Sequence, residues 1–142
     1  MNHDELATIA KAKHRIDALH STNDKFIENA RTHAEPRDVP TKLEFEGDAM
    51  VVRIFGFEAR SKPRVVREED DFYMEYCFLV AFNDEEHELT RFYVGAGGLV
   101  YEDLESGDTM CDYNNEYIAS HVCSRVAIGL LKSPVFSVAE KR

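Results

Sequence analysis

Nowhere in the 142-residue sequence do roughly 18 apolar residues run together, so no membrane-spanning helix is expected. The opening Met1-Asn2-His3-Asp4-Glu5 is acidic where a secretory leader is basic, and no apolar stretch follows it, so no such leader is expected. Cysteine is scarce: Cys77, Cys111 and Cys123 are odd in number and share no recognisable spacing. That excludes a secreted disulfide framework. We read them as reduced thiols, Cys77 and Cys123 as small buried hydrophobes, and the cytoplasm as the expected compartment. Internal repeats and low-complexity segments are absent. Basic residues are the most unevenly missing: from Glu68 to Glu116 there are 15 acidic residues and one basic residue, Arg91, a charge of −14 over 49 positions. The whole chain carries −10, so the remainder is slightly positive. Recognition of a phosphate backbone needs clustered Lys and Arg, and direct nucleic-acid binding of that kind is excluded.

What is present suits a single folded domain over residues 1–142. Its 44% hydrophobic content, with nine Phe and six Tyr, is enough for a core without covalent staples. Apolar residues at Ile9, Ala12, Ile16, Leu19, Phe26 and Ala30 line one face of a helix over 4–32. His20 to Asp24 interrupts that stripe, with Asn23 on it, so one kinked helix and a two-helix hairpin both fit. Pro36 and Pro40 make residues 34–41 a linker.

Strand signals follow: Lys42–Glu46, Ala49–Arg60, Val65–Arg67, Phe72–Phe82, Glu88–Val94 and Leu99–Asp103. Their connections are too short for crossovers, which predicts an α+β fold: an antiparallel meander of five or six strands between an N-terminal helix and a C-terminal helix. In Phe72–Phe82 one face reads Phe72, Met74, Tyr76, Phe78, Val80, Phe82. The other reads Tyr73, Glu75, Cys77, Leu79, Ala81, partly apolar, which predicts a central strand with a second layer or subunit over that face. The closing helix is placed at Tyr113–Lys132, with Asp108, Thr109 or Asp112 as its cap, Ser133-Pro134 as its stop, and 135–142 as a frayed tail.

Gly95-Ala96-Gly97-Gly98 invites a phosphate-loop reading, but such loops lead into a helix and Leu99–Glu102 alternates like a strand. A hairpin is predicted instead, with Val94 opposite Leu99, Phe92 opposite Tyr101 and Arg91 opposite Glu102. Asp84 to Glu88 has ligand-type side chains without the glycine of a calcium loop. Cys111, His121 and Cys123 lack zinc spacing, and nothing singles out one thiol as an activated nucleophile. Arg53 and Glu75 are expected to pair if both point inward. His3, His14, His20 and His33 read as surface residues. No metal or cofactor is expected.

Two functions remain. The first is a non-catalytic acidic interaction module, of the inhibitor, immunity, chaperone-like or nucleic-acid-mimic kind, that binds a basic protein surface through Glu68, Glu69, Asp70, Asp71, Asp84, Glu85, Glu86, Glu102 and Asp103. The second is a small-molecule binding protein or enzyme with an aromatic pocket between sheet and C-terminal helix, lined by Tyr76, Phe78, Phe92, Tyr101, Tyr117 and His121. A homodimer is expected from the partly apolar second face of the central strand together with the N-terminal stripe.

Overall fold

The computed structural model describes residues 2–136. It is an α+β fold: α1 (His3–Thr32), seven strands, and α2 (Ile118–Lys132). The strands are β1 (Leu43–Glu46), β2 (Ala49–Ile54), β3 (Phe57–Glu68), β4 (Asp71–Phe82), β5 (Glu85–Gly95), β6 (Leu99–Tyr101) and β7 (Thr109–Asp112). They form one antiparallel sheet in sequence order, β1 to β7. The expected strand at Ala49–Arg60 is broken by the turn at Phe55–Gly56, and its second part runs on without a break through Val65–Arg67 as β3. The strand count exceeds the expected five or six because β7, a four-residue polar strand, lies within the expected cap and start of the last helix. That helix begins at Ile118, after a turn, and no side chain caps it.

α1 is one continuous helix. The Asn2 side chain accepts from the Glu5 N–H at 2.8 Å, and Asp4 and Glu5 complement the positive end of the helix dipole. Only Leu19, Phe26 and Ala30 are fully buried, so the body grips the C-terminal half of α1. Ahead of Arg15 the helix is almost wholly exposed, Leu6 and Ile9 included.

Both helices lie on the same face of the sheet. α1 touches β1, β4 and β5, and α2 touches β1, β2 and β5, so the sheet curls around them. The enclosed core holds the alternating set from β4, namely Met74, Tyr76, Phe78 and Val80, with Met50, Val52, Phe92, Val94, Val100, Ile118, Val122, Val126 and Leu130. Phe26 packs against the stacked pair Tyr76–Phe92, whose ring centroids are 5.2 Å apart. Burying each such ring stabilises the fold by roughly 1.5–3 kcal/mol.

Among the described residues, none forms a second layer over the opposite face of the central strand β4. That face is held by charge across the strands. Glu75, only 4% exposed, sits between Arg64 (2.8 Å) and Arg91 (3.2 Å), and Arg91 also binds Glu88. Arg53 joins Glu44, Glu46 and Glu58, and Arg60 bridges Glu46 and Glu58. The expected Arg53–Glu75 pair does not form, because β3 lies between their strands and each finds nearer partners.

A β-bulge between Phe78 and Leu79 makes Leu89 the extra residue of β5. α2 seats there: a Cβ on Gly129 would meet the Leu89 carbonyl. Just past the C-terminal end of α2, Val135 is buried and Phe136 packs edge-on against Phe55 and Phe57. The rest of the expected tail, 137–142, lies outside the described residues.

Candidate functional site

The glycine stretch is a hairpin turn, closed by Gly98 N–H to the Gly95 carbonyl at 3.0 Å, and β6 follows it. Gly98 has φ +97°, and a side chain there would run into the Tyr113 ring at 2.7 Å. The register differs by one from the sequence expectation: Tyr93 faces Tyr101 and Val94 faces Val100. A one-residue slip exchanges the faces. Tyr101 therefore lies with Tyr73, edge-on at 5.7 Å, on the side of the sheet away from Phe92, and it is not part of the expected pocket. Arg91 turns to Glu88 and Glu75, while Glu102 pairs with Arg125 of α2 at 3.2 Å.

The remaining pocket residues are also dispersed. Tyr76, Phe78 and Phe92 are fully buried and pack ring against ring. Tyr117 precedes α2 at the surface, under the Arg37 guanidinium 4.6 Å from its ring centre. His121 lines a shallow recess with Arg37, Asp38 and Val39.

In a meander, successive turns alternate between the two ends of the sheet. The turns at 47–48, 69–70 and 96–98 therefore share one end, and those at 55–56 and 83–84 share the other. The acidic residues divide accordingly. Glu68, Glu69, Asp70 and Asp71 surround the β3–β4 turn at the first end; Asp84, Glu85 and Glu86 lie at the second. Glu102 and Asp103 follow β6, which runs back toward that second end. They do not make one surface.

Their partners divide them further. Glu86 is held by Lys62 at 3.0 Å and Glu102 by Arg125. Among the described residues, no Lys or Arg comes within salt-bridge distance of Glu68, Glu69, Asp70, Asp71, Asp84, Glu85 or Asp103.

At the first end α1 crosses the turns. Arg15 donates to the Asp70 carbonyl, Thr22 to the Ala96 carbonyl at 2.8 Å, and Arg31 to the Gly47 carbonyl at 3.2 Å. Between α1, the β1–β2 turn and the β3–β4 hairpin lies an open groove of about 810 Å³. Its apolar lining includes Ile27, Val65 and Met74, and its polar lining includes Asp24, Glu28 and Asp48, three further carboxylates without a Lys or Arg partner among the described residues. Tyr76 and Asn23 meet at its floor.

Carboxylates at this end add to the effect of burial on two phenols, one on each face of β4. Burial pushes the Tyr76 hydroxyl above its ordinary range, and Asp48 and Asp24 push it the same way against the opposing bond to Asn23. Burial raises Tyr73 as well, with Asp71, Glu68 and Glu69 contributing. The sequence reading passed over Asp24 and Glu28; their i, i+4 spacing puts them on one helical face, but only the path of α1 brings that face to the groove.

No three His, Cys, Asp or Glu side chains among the described residues are grouped to hold a metal. No helix among them is long and apolar enough to cross a membrane. Comparison with known protein families, curated proteins and solved structures yields no match.

Proposed function

We propose that the protein is a non-catalytic interaction module that receives a basic surface of a partner protein at the end of the sheet carrying Asp24, Glu28, Asp48, Glu68, Glu69, Asp70 and Asp71. The observation that supports this is a contrast within one molecule. Carboxylates on the face of the sheet away from the helices, such as Glu44, Glu46, Glu58, Glu75 and Glu88, each have an arginine partner. The seven acids named above have none among the described residues, although Arg15 and Arg31 lie close by and bind backbone carbonyls instead. Unpaired charge of one sign on one surface steers a partner of opposite sign and excludes wrong ones.

The test is affinity capture from lysate, with captured proteins identified by mass and compared with those held by a variant carrying Asn or Gln at the seven positions. Basic proteins retained by the native chain and lost from the variant, and released by moderate salt, are the expected result. An unchanged set of captured proteins overturns the reading.

Exposed Leu6 and Ile9 on the projecting half of α1 support the expected homodimer. A single monomeric species in sedimentation at high micromolar concentration rules that out.

A further inference from the structure

β3 is twice as long as its neighbour needs. It runs over 12 residues, whereas β2 has six and pairs with it only as far as Val51 opposite Arg60. There the ladder stops: the next β2 amide, Met50 N–H, bonds the Ser61 hydroxyl at 2.8 Å rather than a backbone carbonyl. Beyond Ser61, β3 has β4 on one side and, among the described residues, no strand on the other.

Which backbone groups are left over follows from the turns. Two-residue turns close β2–β3 at 55–56 and β3–β4 at 69–70, so Ile54–Phe57 and Glu68–Asp71 are the hydrogen-bonded flanking pairs. Bonding then alternates along an antiparallel strand. Both ends give the same parity: even-numbered residues of β3 bond to β4, and odd-numbered residues point the other way. The carbonyls of Pro63, Val65 and Arg67 and the N–H groups of Val65 and Arg67 thus face away from the sheet, and none has a partner among the described residues.

The comparable stretch of β5 is treated differently. β6 pairs with β5 only at Tyr93 and Val94, yet α2 closes over the rest, with Gly129 against Leu89 and Arg125 donating to the Arg91 carbonyl at 3.4 Å. A long strand edge left open is a template for another strand unless it is covered. Among the described residues nothing covers the edge of β3, which forms one wall of the groove beneath α1.

The groove also specifies what fits. Side chains of an added strand would alternate between the groove and the outer face. Those turned into the groove would meet a lining that combines apolar Ile27, Val65 and Met74 with the carboxylates of Asp24, Glu28 and Asp48. Apolar and anionic surface in one groove suits the aliphatic stem and charged head of Lys or Arg. Arg31 also lines the groove, but its guanidinium is directed to the Gly47 carbonyl and the Phe45 ring and forms no salt bridge with these carboxylates. Arg64 is engaged with Glu75 on the opposite face. Arg67, nearer the tip, opposes a cation directly across from it.

We propose that the free edge of β3 takes an extended basic segment of a partner protein as an added strand, with Lys or Arg at alternate positions set into the groove opposite Pro63 and Val65. This rests on the acidic-module reading above and gives it a geometry.

The test uses the intact protein and three labelled eight-residue peptides followed by fluorescence anisotropy. One alternates Thr and Lys, one holds the same residues in two blocks, and one is the alternating peptide methylated on every second backbone nitrogen. The alternating peptide is expected to bind about tenfold or more tightly than the other two, and to protect the Val65 and Arg67 amides from hydrogen exchange. Val65→Pro, which removes an outward N–H and spares the β4 ladder, is expected to weaken it about tenfold as well. If Val65→Pro does not fold, the methylated peptide decides with the protein unaltered. Equal affinity for all three peptides overturns strand addition and leaves the acidic module standing. Absence of binding by every peptide overturns both.

Discussion

The Tyr76 hydroxyl donates to the Asn23 side-chain oxygen, tying the centre of β4 to the middle of α1. Tyr76 is completely buried, so the bond satisfies a phenol that the core would otherwise strand. Asn23→Leu removes the acceptor and is expected to cost about 1–3 kcal/mol in urea unfolding. Adding Tyr76→Phe removes the stranded donor, and the double variant is expected to recover most of that loss. A double variant no more stable than Asn23→Leu would show that the bond is not the cause.

Glu75 and its arginines should respond unequally. The carboxylate is buried while Arg64 and Arg91 reach solvent. Removing the acid leaves solvated cations; removing Arg91 leaves a buried anion with one partner. Glu75→Gln is expected to cost under about 1 kcal/mol and Arg91→Met about 2 kcal/mol. Equal costs would contradict this arrangement.

Gly129 reverses a familiar rule. Inside a helix Gly→Ala normally stabilises by about 1 kcal/mol. Here the added methyl meets the Leu89 backbone oxygen, which has no rotamer to move into. Gly129→Ala is expected to destabilise by about 1–3 kcal/mol, read as a lower melting temperature. A higher melting temperature would mean that α2 does not seat on the β5 bulge.

Alkaline pH should loosen the fold through its thiols. Burial is the main cause in each case: it pushes Cys77 and Cys111 up to about 11 and Cys123 up to about 12, with the hydrogen bond to Glu88 adding to the rise at Cys77. An unfolded chain releases these protons near about 8.5. The stabilisation is therefore complete below that value and is lost as pH climbs through the native values. The urea midpoint is expected to fall steadily between about pH 8.5 and pH 11, and to fall less in Cys123→Ala. The same protonation keeps iodoacetamide labelling at pH 8 slow, slowest at Cys123.

Much of the architecture could be read from residue patterns, and the failures share a cause. The alternation of Phe72 to Phe82 revealed the central strand and its buried face, because period-two patterning is local. Asn23 looked like a break in α1 because its partner, Tyr76, is 53 residues away. The last hairpin slipped by one residue since Gly95, Gly97 and Gly98 permit more than one turn, and Tyr73 and Tyr101 select the register from the far side of the sheet. β7 was too short and too polar to show a period. The acidic run looked continuous along the chain, yet a meander sends neighbouring turns to opposite ends, and only the path of α1 brings Asp24 and Glu28 to one of them.

α1 is a single rod with two thermodynamic characters. The part from Leu19 to Ala30 is anchored in the core, while the twelve residues before Arg15 extend it by about 18 Å with only their own hydrogen bonds to sustain them. A free helix of that length melts readily in water. Its amides are expected to exchange orders of magnitude faster than those at Phe26, the behaviour of a segment that winds and unwinds until something lies along it.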